Sequence, residues 1–569
     1  MKRLFALALS LLVATAAFAE GISRQEALDY ARKFFSDTPS AQLSISWTGG
    51  SETEPAFYVI NRAGGGWLIL SGESVVNPVL GYSFNGVFTT KNMPQHMQDW
   101  FGQLEQDIRE VRQLKLAPQM DVVMEWQNLG IKTKAGGASK VMESALWDQG
   151  SPYNKYCPTS NGRKALTGCV ATAMAITMRY NKYPAHGYGE LSSYTTSTTH
   201  TFVEGFSIED HEYNWDLMPL KDVSRASDEE KDQIARLMYD CGVMIQMNYS
   251  PSGSGAVSMY MPGLLAEHMG YSAEAMLFKK SMYKPKEWIN LIKQELDANR
   301  LVFYSAQDAG GNGGHAFVID GYDENDLLRV NWGWSGSDNG FYNLDLEVDG
   351  YRFSDSQGAV LGLVPDPDHS REALTYLCLT GKGLSLSSGH IAEGKNFDVA
   401  FSEITNYGNG KFTGPLMVVL TDEDNNIKAN LSSPLSVEIE ALYTLTGSIT
   451  NCKLEQTPLF KDHVQLAAKN PRTGEYEVLR ADIENESVGG LATVPNFIAG
   501  KNSYNSGETF EFKIFKSGEK YNTATWYFDG KLIPQDQDDV VLSAGTHEVK
   551  VVLAKPAGME ILVRELLVY

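Results

Sequence analysis

A cysteine stands between a loop and an apparent helix in the run Thr167-Gly168-Cys169-Val170-Ala171-Thr172-Ala173-Met174. Small, helix-compatible residues continue through Tyr180, which predicts a helix that begins at the cysteine. Gly168 permits a tight turn and leaves room for a carbonyl group to approach. The unpaired N–H groups and the dipole of a first helical turn favour a thiolate. The run therefore predicts a nucleophilic Cys169, with a buried structural cysteine as the alternative.

A thiolate nucleophile needs a base, and five histidines follow Cys169 before the apparent end of its domain. Four of them lie in loop or helix-face sequence and are interpreted as solvated or structural: His186, His200, His211 and His268. His315 differs because it ends the glycine-rich loop 310–314 and opens the apolar strand 316–319. That position places a side chain firmly at the rim of a cleft. His315 is the candidate base.

The chain after His315 predicts a β-hairpin. It turns at 323–326 and returns in a strand that carries Asn331, Trp332 and Trp334. An amide oxygen that accepts from the imidazole N–H would fix its tautomer, and an indole would shield that bond from water. A symmetric register sets Trp334 opposite the histidine, whereas a bulge or a different turn would bring Asn331 there. Core packing of the indoles is the structural alternative.

Upstream, Gln149 lies in the segment Trp147-Asp148-Gln149-Gly150-Ser151-Pro152-Tyr153-Asn154. Its side-chain N–H and the backbone N–H of Cys169 would together make a two-donor oxyanion hole. An ordinary surface glutamine is the alternative.

Together these segments resemble the streptopain family, secreted bacterial cysteine peptidases with a papain-like fold that are made as zymogens. The likeness extends from about Val141 to Pro365. Four blocks carry it in the family's order: Gln149 with Pro152-Tyr153-Asn154, Thr167-Gly168-Cys169-Val170-Ala171-Thr172-Ala173, Gly314-His315-Ala316-Phe317-Val318-Ile319-Asp320-Gly321 and Val330-Asn331-Trp332-Gly333-Trp334.

The resemblance implies roles for particular residues. They are Cys169 as nucleophile, His315 as general base and acid, Gln149 as oxyanion donor, and Asn331 with Trp332 as the pair supporting the histidine. It also implies that Gly253, Ser254 and Gly314 line the substrate cleft, although the serine loop here is shorter than in the family pattern. We expect no cofactor and no metal ion.

The N-terminus predicts export. Lys2 and Arg3 precede an apolar run that ends at Ala16, and Ala17-Phe18-Ala19 reads as a cleavage site. The apolar run is too short for a stable membrane span, and no second long apolar stretch follows. We therefore expect a signal peptide at 1–19 and a secreted protein, whether extracellular, periplasmic or on the outer surface.

The 5 cysteines in 569 residues do not form a disulfide framework. Cys378 and Cys452 are the candidates for a pair, whereas Cys157 and Cys241 read as free, partly buried thiols. The odd number leaves at least one cysteine unpaired, as a thiol enzyme requires.

Patterning predicts four further domains after the signal peptide. An α+β segment at 20–134 begins with a possible capping box, Ser23 and Glu26, and contains a hairpin around Gly64-Gly65-Gly66. The resemblance makes this segment an inhibitory prodomain, with a free-standing binding module as the alternative. The small, basic stretch 131–140 predicts an exposed linker with processing sites.

The α+β papain-like peptidase domain is predicted at 135–367. Short alternating apolar runs then predict all-β Ig-like sandwich domains at 368–490 and 491–569. We expect these β-domains to bind a host or cell-surface ligand.

The formal net charge of −22 argues against nucleic acid and anionic membranes as partners. We predict a secreted cysteine endopeptidase that is made as a zymogen, processes itself and acts in virulence. Its expected partners are protein substrates and its own prodomain. One alternative is a surface adhesin with an inactive peptidase-like core, which the joint presence of Cys169, His315 and Gln149 disfavours. The other is a transglutaminase or cell-wall amidase with the same thiol chemistry.

Overall fold

The structure, a computed structural model, describes residues 21–569 apart from 92, 94, 115–118, 130–138, 308–313, 345–346, 349–350, 353–356, 390, 392, 423, 456–457, 459–461, 482–490, 493–496, 499–500, 502, 516–522, 536 and 556–557. The predicted signal peptide and most of the predicted linker 131–140 lie outside the described residues, as does most of the loop 310–314. The chain divides into two compact units. The first runs to Lys280 and resumes over Lys284–Arg371, and the second comprises Ser281–Tyr283 and Glu372–Tyr569.

The described part of the first unit contains seven α-helices and a large antiparallel sheet. The helices are α1 (Arg24–Phe34), α2 (Gln95–Leu114), α3 (Met120–Asn128), α4 (Cys169–Asn181), α5 (Asp228–Met244), α6 (Met261–Met269) and α7 (Pro285–Asp297). The strands are β1 (Leu43–Gly50), β2 (Pro55–Arg62), β3 (Trp67–Ser71), β4 (Val79–Ser83), β5 (Lys140–Val141), β6 (Met276–Lys279), β7 (Val302–Gln307), β8 (Gly314–Tyr322), β9 (Leu328–Asn331), β10 (Gly340–Tyr342) and β11 (Gly358–Leu361). Their order across the sheet is β1-β2-β3-β4-β10-β9-β8-β7-β11-β6, with β5 paired to β8.

Short elements complete the first unit. Two-residue strands pair as Thr159–Ser160 with Arg163–Lys164, Glu190–Leu191 with Phe206–Ser207, Tyr194–Thr195 with Phe202–Val203, and Glu347–Val348 with Tyr351–Arg352. Single 3₁₀ turns lie at Ile208–Asp210, Trp215–Leu217, Val223–Arg225 and Ser258–Tyr260, and a fifth, Lys280–Met282, crosses the boundary of the unit.

Local sequence signals decide the N-terminal elements. Ser23 caps α1, and the Glu26 side chain bonds back to the Ser23 amide, so the predicted capping box is present. The predicted hairpin forms between β2 and β3, with Asn61 opposite Trp67. Both strands have continuous buried runs because the sheet is covered on both faces.

The N-terminal segment and the peptidase region share one sheet. Strand β4 pairs with β10, placing Tyr82 opposite Phe341 and Gly81 opposite Tyr342. The Tyr82 hydroxyl also donates to the buried carboxylate of Asp323 at 2.9 Å. The segment predicted as a prodomain is therefore joined to the peptidase region by backbone pairing as well as by side chains.

The second unit is all-β. In chain order its strands are Leu377–Gly389, Asn396–Asn406, Phe412–Thr421, Ile427–Asn430, Leu435–Ile439, Thr444–Lys453, His463–Lys469, Tyr476–Val478, Arg480–Ala481, Leu491–Ala492, Phe497–Ile498, Thr509–Glu511, Ile514–Phe515, Thr523–Phe528, Lys531–Leu532, Asp539–Val541, Gly545–Lys555 and Gly558–Val568. A four-stranded and a six-stranded sheet share one core, which includes Phe401 and Leu416. A separate core around Phe510 and Val551 lies in the last part of the chain. The α+β class of the first unit and the all-β class of the second are confirmed.

All five cysteines are free thiols in the structure. Cys378 and Cys452, the candidates for a disulfide, are both buried and unpaired with each other, so that pairing is wrong.

Candidate active site

Cys169 is the first residue of α4, as the sequence predicts. Gly168, the N-cap, has φ +89°, a backbone conformation that residues other than glycine rarely adopt. A Cβ there would also lie 2.5 Å from the Met247 sulfur. The helix behind the thiol is buried from Val170 to Met178, so Cys169 sits on a rigid support.

Strand β8 brings His315 to the same place. This strand packs against α4, and the backbone of Ala316, the residue after His315, lies near enough to Cys169 to lower the pKa of its thiol. The two sequence segments that carry the predicted chemistry therefore meet. His315 is almost completely buried, and its Nε2 lies 3.0 Å from the Trp332 carbonyl oxygen. Because a carbonyl only accepts, Nε2 carries the proton, which makes Nδ1 the basic nitrogen of a neutral ring.

Burial controls the charge of both groups. It lowers the pKa of His315 to about 3, although the bond to the Trp332 carbonyl acts in the other direction. Burial also raises the pKa of the Cys169 thiol, against the opposing effect of the Ala316 and Val170 amides. At neutral pH this form of the protein therefore holds a neutral thiol beside a neutral imidazole, whereas nucleophilic attack requires the thiolate.

The predicted hydrogen bond between the Asn331 side chain and the His315 imidazole is not formed. In the structure Asn331 pairs with Val318, and its amide oxygen accepts from the Gly333 N–H at 3.2 Å. The carbonyl that accepts from the imidazole belongs to Trp332, whose indole is also stacked near the ring at 6.1 Å between centroids. A main-chain acceptor leaves no signal in the sequence, and a register shift between Ile319 and Gly321 further alters the simple hairpin.

Gln149 lies beside the cysteine loop. Its carbonyl oxygen accepts from the Thr167 N–H, two residues before Cys169, and its side chain is buried. Asp148 fixes the turn by accepting from the Gln149 and Gly150 amides and from the Ser335 hydroxyl. Sequence reasoning missed this role of Asp148, although an Asp two residues before a Gly is a common turn signal.

Ser254 is also brought to the cysteine loop. Its hydroxyl donates to the Leu166 carbonyl at 2.8 Å and accepts from the Ser250 amide at 2.9 Å. Its own carbonyl oxygen lies 3.2 Å from where a Gly168 Cβ would be. The adjacent Gly253 is exposed, as is Gly314, which directly precedes His315 at the end of β8.

The N-terminal segment packs against Trp332 and against Tyr342 of β10. Trp100 of α2 lies edge-on to Tyr342 with ring centroids 5.4 Å apart, and its ring is 6.4 Å from that of Trp332. Trp67 contacts Tyr342 from β3 at 5.6 Å. The sequence does not predict the Trp100 contact, because the periodicity of a helix does not show which domain its aromatic side chains pack against.

Within the described residues, no cluster of three or more His, Cys, Asp or Glu side chains is arranged to hold a metal ion. Among the same residues, no helix is both long and apolar enough to cross a membrane.

A thiol at the start of a buried helix and an imidazole on the strand packed against it are the arrangement of a cysteine hydrolase, and the N-terminal segment is joined to the same sheet. The peptidase C10 family model matches residues 147–342, and the model of the Spi protease inhibitor matches residues 19–108. The chain is 32% identical to streptopain of Streptococcus pyogenes over 352 residues, which are 56% of this chain and 83% of streptopain. The chain therefore belongs to the peptidase C10 family, and it is a cysteine peptidase with an inhibitor-type prodomain.

Two further relatives show how far the likeness extends. The Porphyromonas gingivalis protein named thiol protease/hemagglutinin PrtT is 32% identical over 392 residues, which are 64% of this chain and 44% of that protein. The chain thus spans less than half the length of that relative. A solved fragment of Prevotella intermedia prointerpain A is 26% identical, with a TM-score of 0.47, and the match covers 57% of this chain and 100% of the fragment.

Proposed function

We propose that this protein is a secreted endopeptidase that hydrolyses peptide bonds through a thioester on Cys169. The observation that carries the proposal is the packing of α4, which begins at Cys169, against β8, which carries His315 as its second residue. It unites a nucleophile and a base that are far apart in the sequence.

In this mechanism Nδ1 of His315 takes the thiol proton, and the sulfur attacks the peptide carbonyl carbon. The carbonyl oxygen becomes an oxyanion that accepts from the Gln149 side-chain amide and the Cys169 N–H. His315 then gives its proton to the leaving nitrogen, the C–N bond breaks and an amine departs. His315 next takes a proton from water, whose oxygen attacks the thioester carbon. The C–S bond breaks, the carboxylic acid leaves, and His315 returns the proton to the sulfur.

The same proposal assigns supporting roles. Gly253, Ser254 and Gly314 line the cleft that holds the substrate backbone, since Ser254 contacts the segment before Cys169 and Gly314 precedes His315. Residues 20–134 act as the inhibitor until the linker 131–140 is cut. The match of residues 19–108 to the model of the Spi protease inhibitor and the pairing of β4 with β10 support this role.

We further propose that the C-terminal β-domains bind a host or cell-surface ligand. The second unit has its own cores and lacks the predicted catalytic residues, and the relative from P. gingivalis is named a hemagglutinin as well as a protease. An isolated second unit that shows no adhesion to host cells would contradict this part of the proposal.

The experiment that tests the peptidase proposal is competitive alkylation of the processed protein with iodoacetamide. We expect Cys169 to react at least about tenfold faster than Cys157 or Cys241. Both of the latter are buried, and burial raises the pKa of Cys157 to about 12. Equal labelling of the three thiols in folded protein, or full casein hydrolysis by Cys169→Ala, would overturn the assignment.

A further inference from the structure

A buried polar chain leads from the core of the peptidase region to the histidine's acceptor. Asp320 is fully buried, and its Oδ2 accepts from the Ser144 hydroxyl at 2.5 Å and from Arg329 Nη1 at 2.6 Å. The Ser144 oxygen in turn accepts from the Asn331 side-chain amide at 2.8 Å. Ser144 is thus donor and acceptor at once, and its single hydroxyl proton fixes the direction of the chain.

This series of buried hydrogen bonds ends on the peptide unit between Trp332 and Gly333. The Asn331 amide oxygen accepts from the Gly333 N–H, and the carbonyl of that same peptide unit belongs to Trp332. In a trans peptide the N–H and C=O point in opposite directions. Holding the N–H on Asn331 therefore aims the Trp332 carbonyl away from Asn331, and His315 Nε2 meets that carbonyl at 3.0 Å.

Further hydrogen bonds hold both ends of this series. The Asn331 side chain also donates to the Ala145 carbonyl at 2.9 Å, and the Met142 amide donates to the Asp320 carbonyl at 2.8 Å. The Trp332 N–H is bound to the Asn339 side-chain oxygen at 3.1 Å. The segment 142–145 is consequently a fixed frame against which Asn331 is oriented.

We propose that Ser144 is a positioning residue for the catalytic histidine. Through Asn331 it orients the Trp332–Gly333 peptide, and so it sets the tautomer and direction of the His315 ring. The inference rests on the proposed function, because that function assigns His315 as the base. The contacts of Ser144 with Asp320 and Asn331 are no part of that assignment. It also gives Asn331 an indirect role in place of direct contact with the imidazole.

The test compares Ser144→Ala, Ser144→Thr and Glu143→Ala in the full-length protein, all processed in trans with a trace of wild type. Glu143 is the exposed neighbour in the same segment and serves as the matched control. Rates on a fluorogenic peptide amide are measured across pH, with Tm recorded for each variant.

For Ser144→Ala we expect kcat to fall about tenfold with KM within about twofold, because a misaligned base costs rate more than binding. The acid limb of the kcat/KM profile should move, since it reports the thiol–imidazole pair of the free enzyme. Ser144→Thr, which keeps a donor and an acceptor, should restore both, and Glu143→Ala should match wild type.

A Ser144→Ala enzyme with wild-type kcat and pH profile, whatever its Tm, would overturn the inference. If that variant does not fold, Ser144→Cys takes its place with the same expected loss, since a thiol donates only weakly. Equal rates for the Cys and Thr variants would then overturn it. Failure of the proposed function looks different, because wild type itself would not cleave the peptide amide.

Discussion

At the scale of single residues, the chemistry depends on which protonation state burial permits. His315 is held neutral and Cys169 is held as a thiol in the form with the prodomain in place. Gly168, Asp148 and the Trp332 carbonyl fix the geometry around them. In this form the pair is uncharged, whereas attack on a carbonyl carbon requires the thiolate.

Gln149→Ala should lower kcat by about 10²–10³, because one of two oxyanion donors is removed. Alkylation of Cys169 should stay close to wild type, since the glutamine side chain is assigned no part in ionising the thiol. Steady-state kinetics and iodoacetamide labelling of the processed protein measure the two effects. Asp210→Ala, a change outside the site, is the control, and an unchanged kcat in Gln149→Ala would mean that another group fills the oxyanion hole.

The depressed pKa of His315 predicts an acid-sensitive precursor. Its pKa is about 3 when folded against an ordinary 6.5, so unfolding takes up a proton between these values. The free energy of unfolding contributed by this group is retained above pH 6.5 and falls towards pH 3, by up to about 1.4 kcal/mol per pH unit.

Urea unfolding of Cys169→Ala at pH 7, 6 and 5 measures this loss of stability. Tryptophan fluorescence is suited to it, since 9 of the 10 tryptophans precede residue 372. Cys169→Ala combined with His315→Gln should show a flatter dependence, because the titrating group is gone. Identical slopes for the two proteins would contradict the buried, neutral histidine.

At the scale of elements, α2 connects the prodomain to the candidate active site. Its Trp100 contacts Tyr342 of β10 and Trp332, the residue that follows β9 and binds His315. Trp100→Ala removes the ring that packs on Tyr342 and lies beside Trp332. Loss of about 1.4 kcal/mol of prodomain packing would speed self-processing roughly tenfold. The rate is read from the loss of full-length protein with time in reductant.

Met120→Ala is the matched control for the Trp100 change. Met120 begins α3, also in the N-terminal segment, but its side chain is 75% exposed. Its removal should leave the processing rate at the wild-type value. Equal rates for Trp100→Ala and Met120→Ala would show that the tryptophan contact does not restrain the precursor.

At the scale of the whole molecule, the prodomain belongs to the same unit and the same sheet as the peptidase region. Backbone pairing of β4 with β10 must be broken before the prodomain leaves. Under the proposed function, release of the prodomain would therefore require separation of two parts of a sheet in addition to cleavage of the linker.

Processing at the linker should be the protein's own reaction. Wild type incubated with reductant should lose about 13 kDa, at roughly 110 daltons per residue of a prodomain of ordinary size. Cys169→Ala should remain full length because it lacks the nucleophile, and adding a trace of wild type should restore its cleavage. Intact mass spectrometry decides between these outcomes. Wild type that stays full length yet cleaves casein at full rate would contradict an inhibitory prodomain.

The sequence by itself determined the local elements and the identity of the reacting side chains. The capping box at Ser23, the hairpin of β2 and β3 and the helix that begins at Cys169 all follow from short-range rules of capping, turns and periodicity. Cys169 and His315 stood out because their types and local settings suit thiol chemistry.

Only the tertiary structure decided how those side chains are held. The acceptor for His315 is a main-chain carbonyl, Asn331 bonds to Ser144 and Ala145, and β4 pairs with β10. A backbone oxygen is the same in every residue, and strand register across distant segments depends on packing of the whole sheet. Neither is encoded in a short stretch of sequence, so both emerge only when the chain is folded.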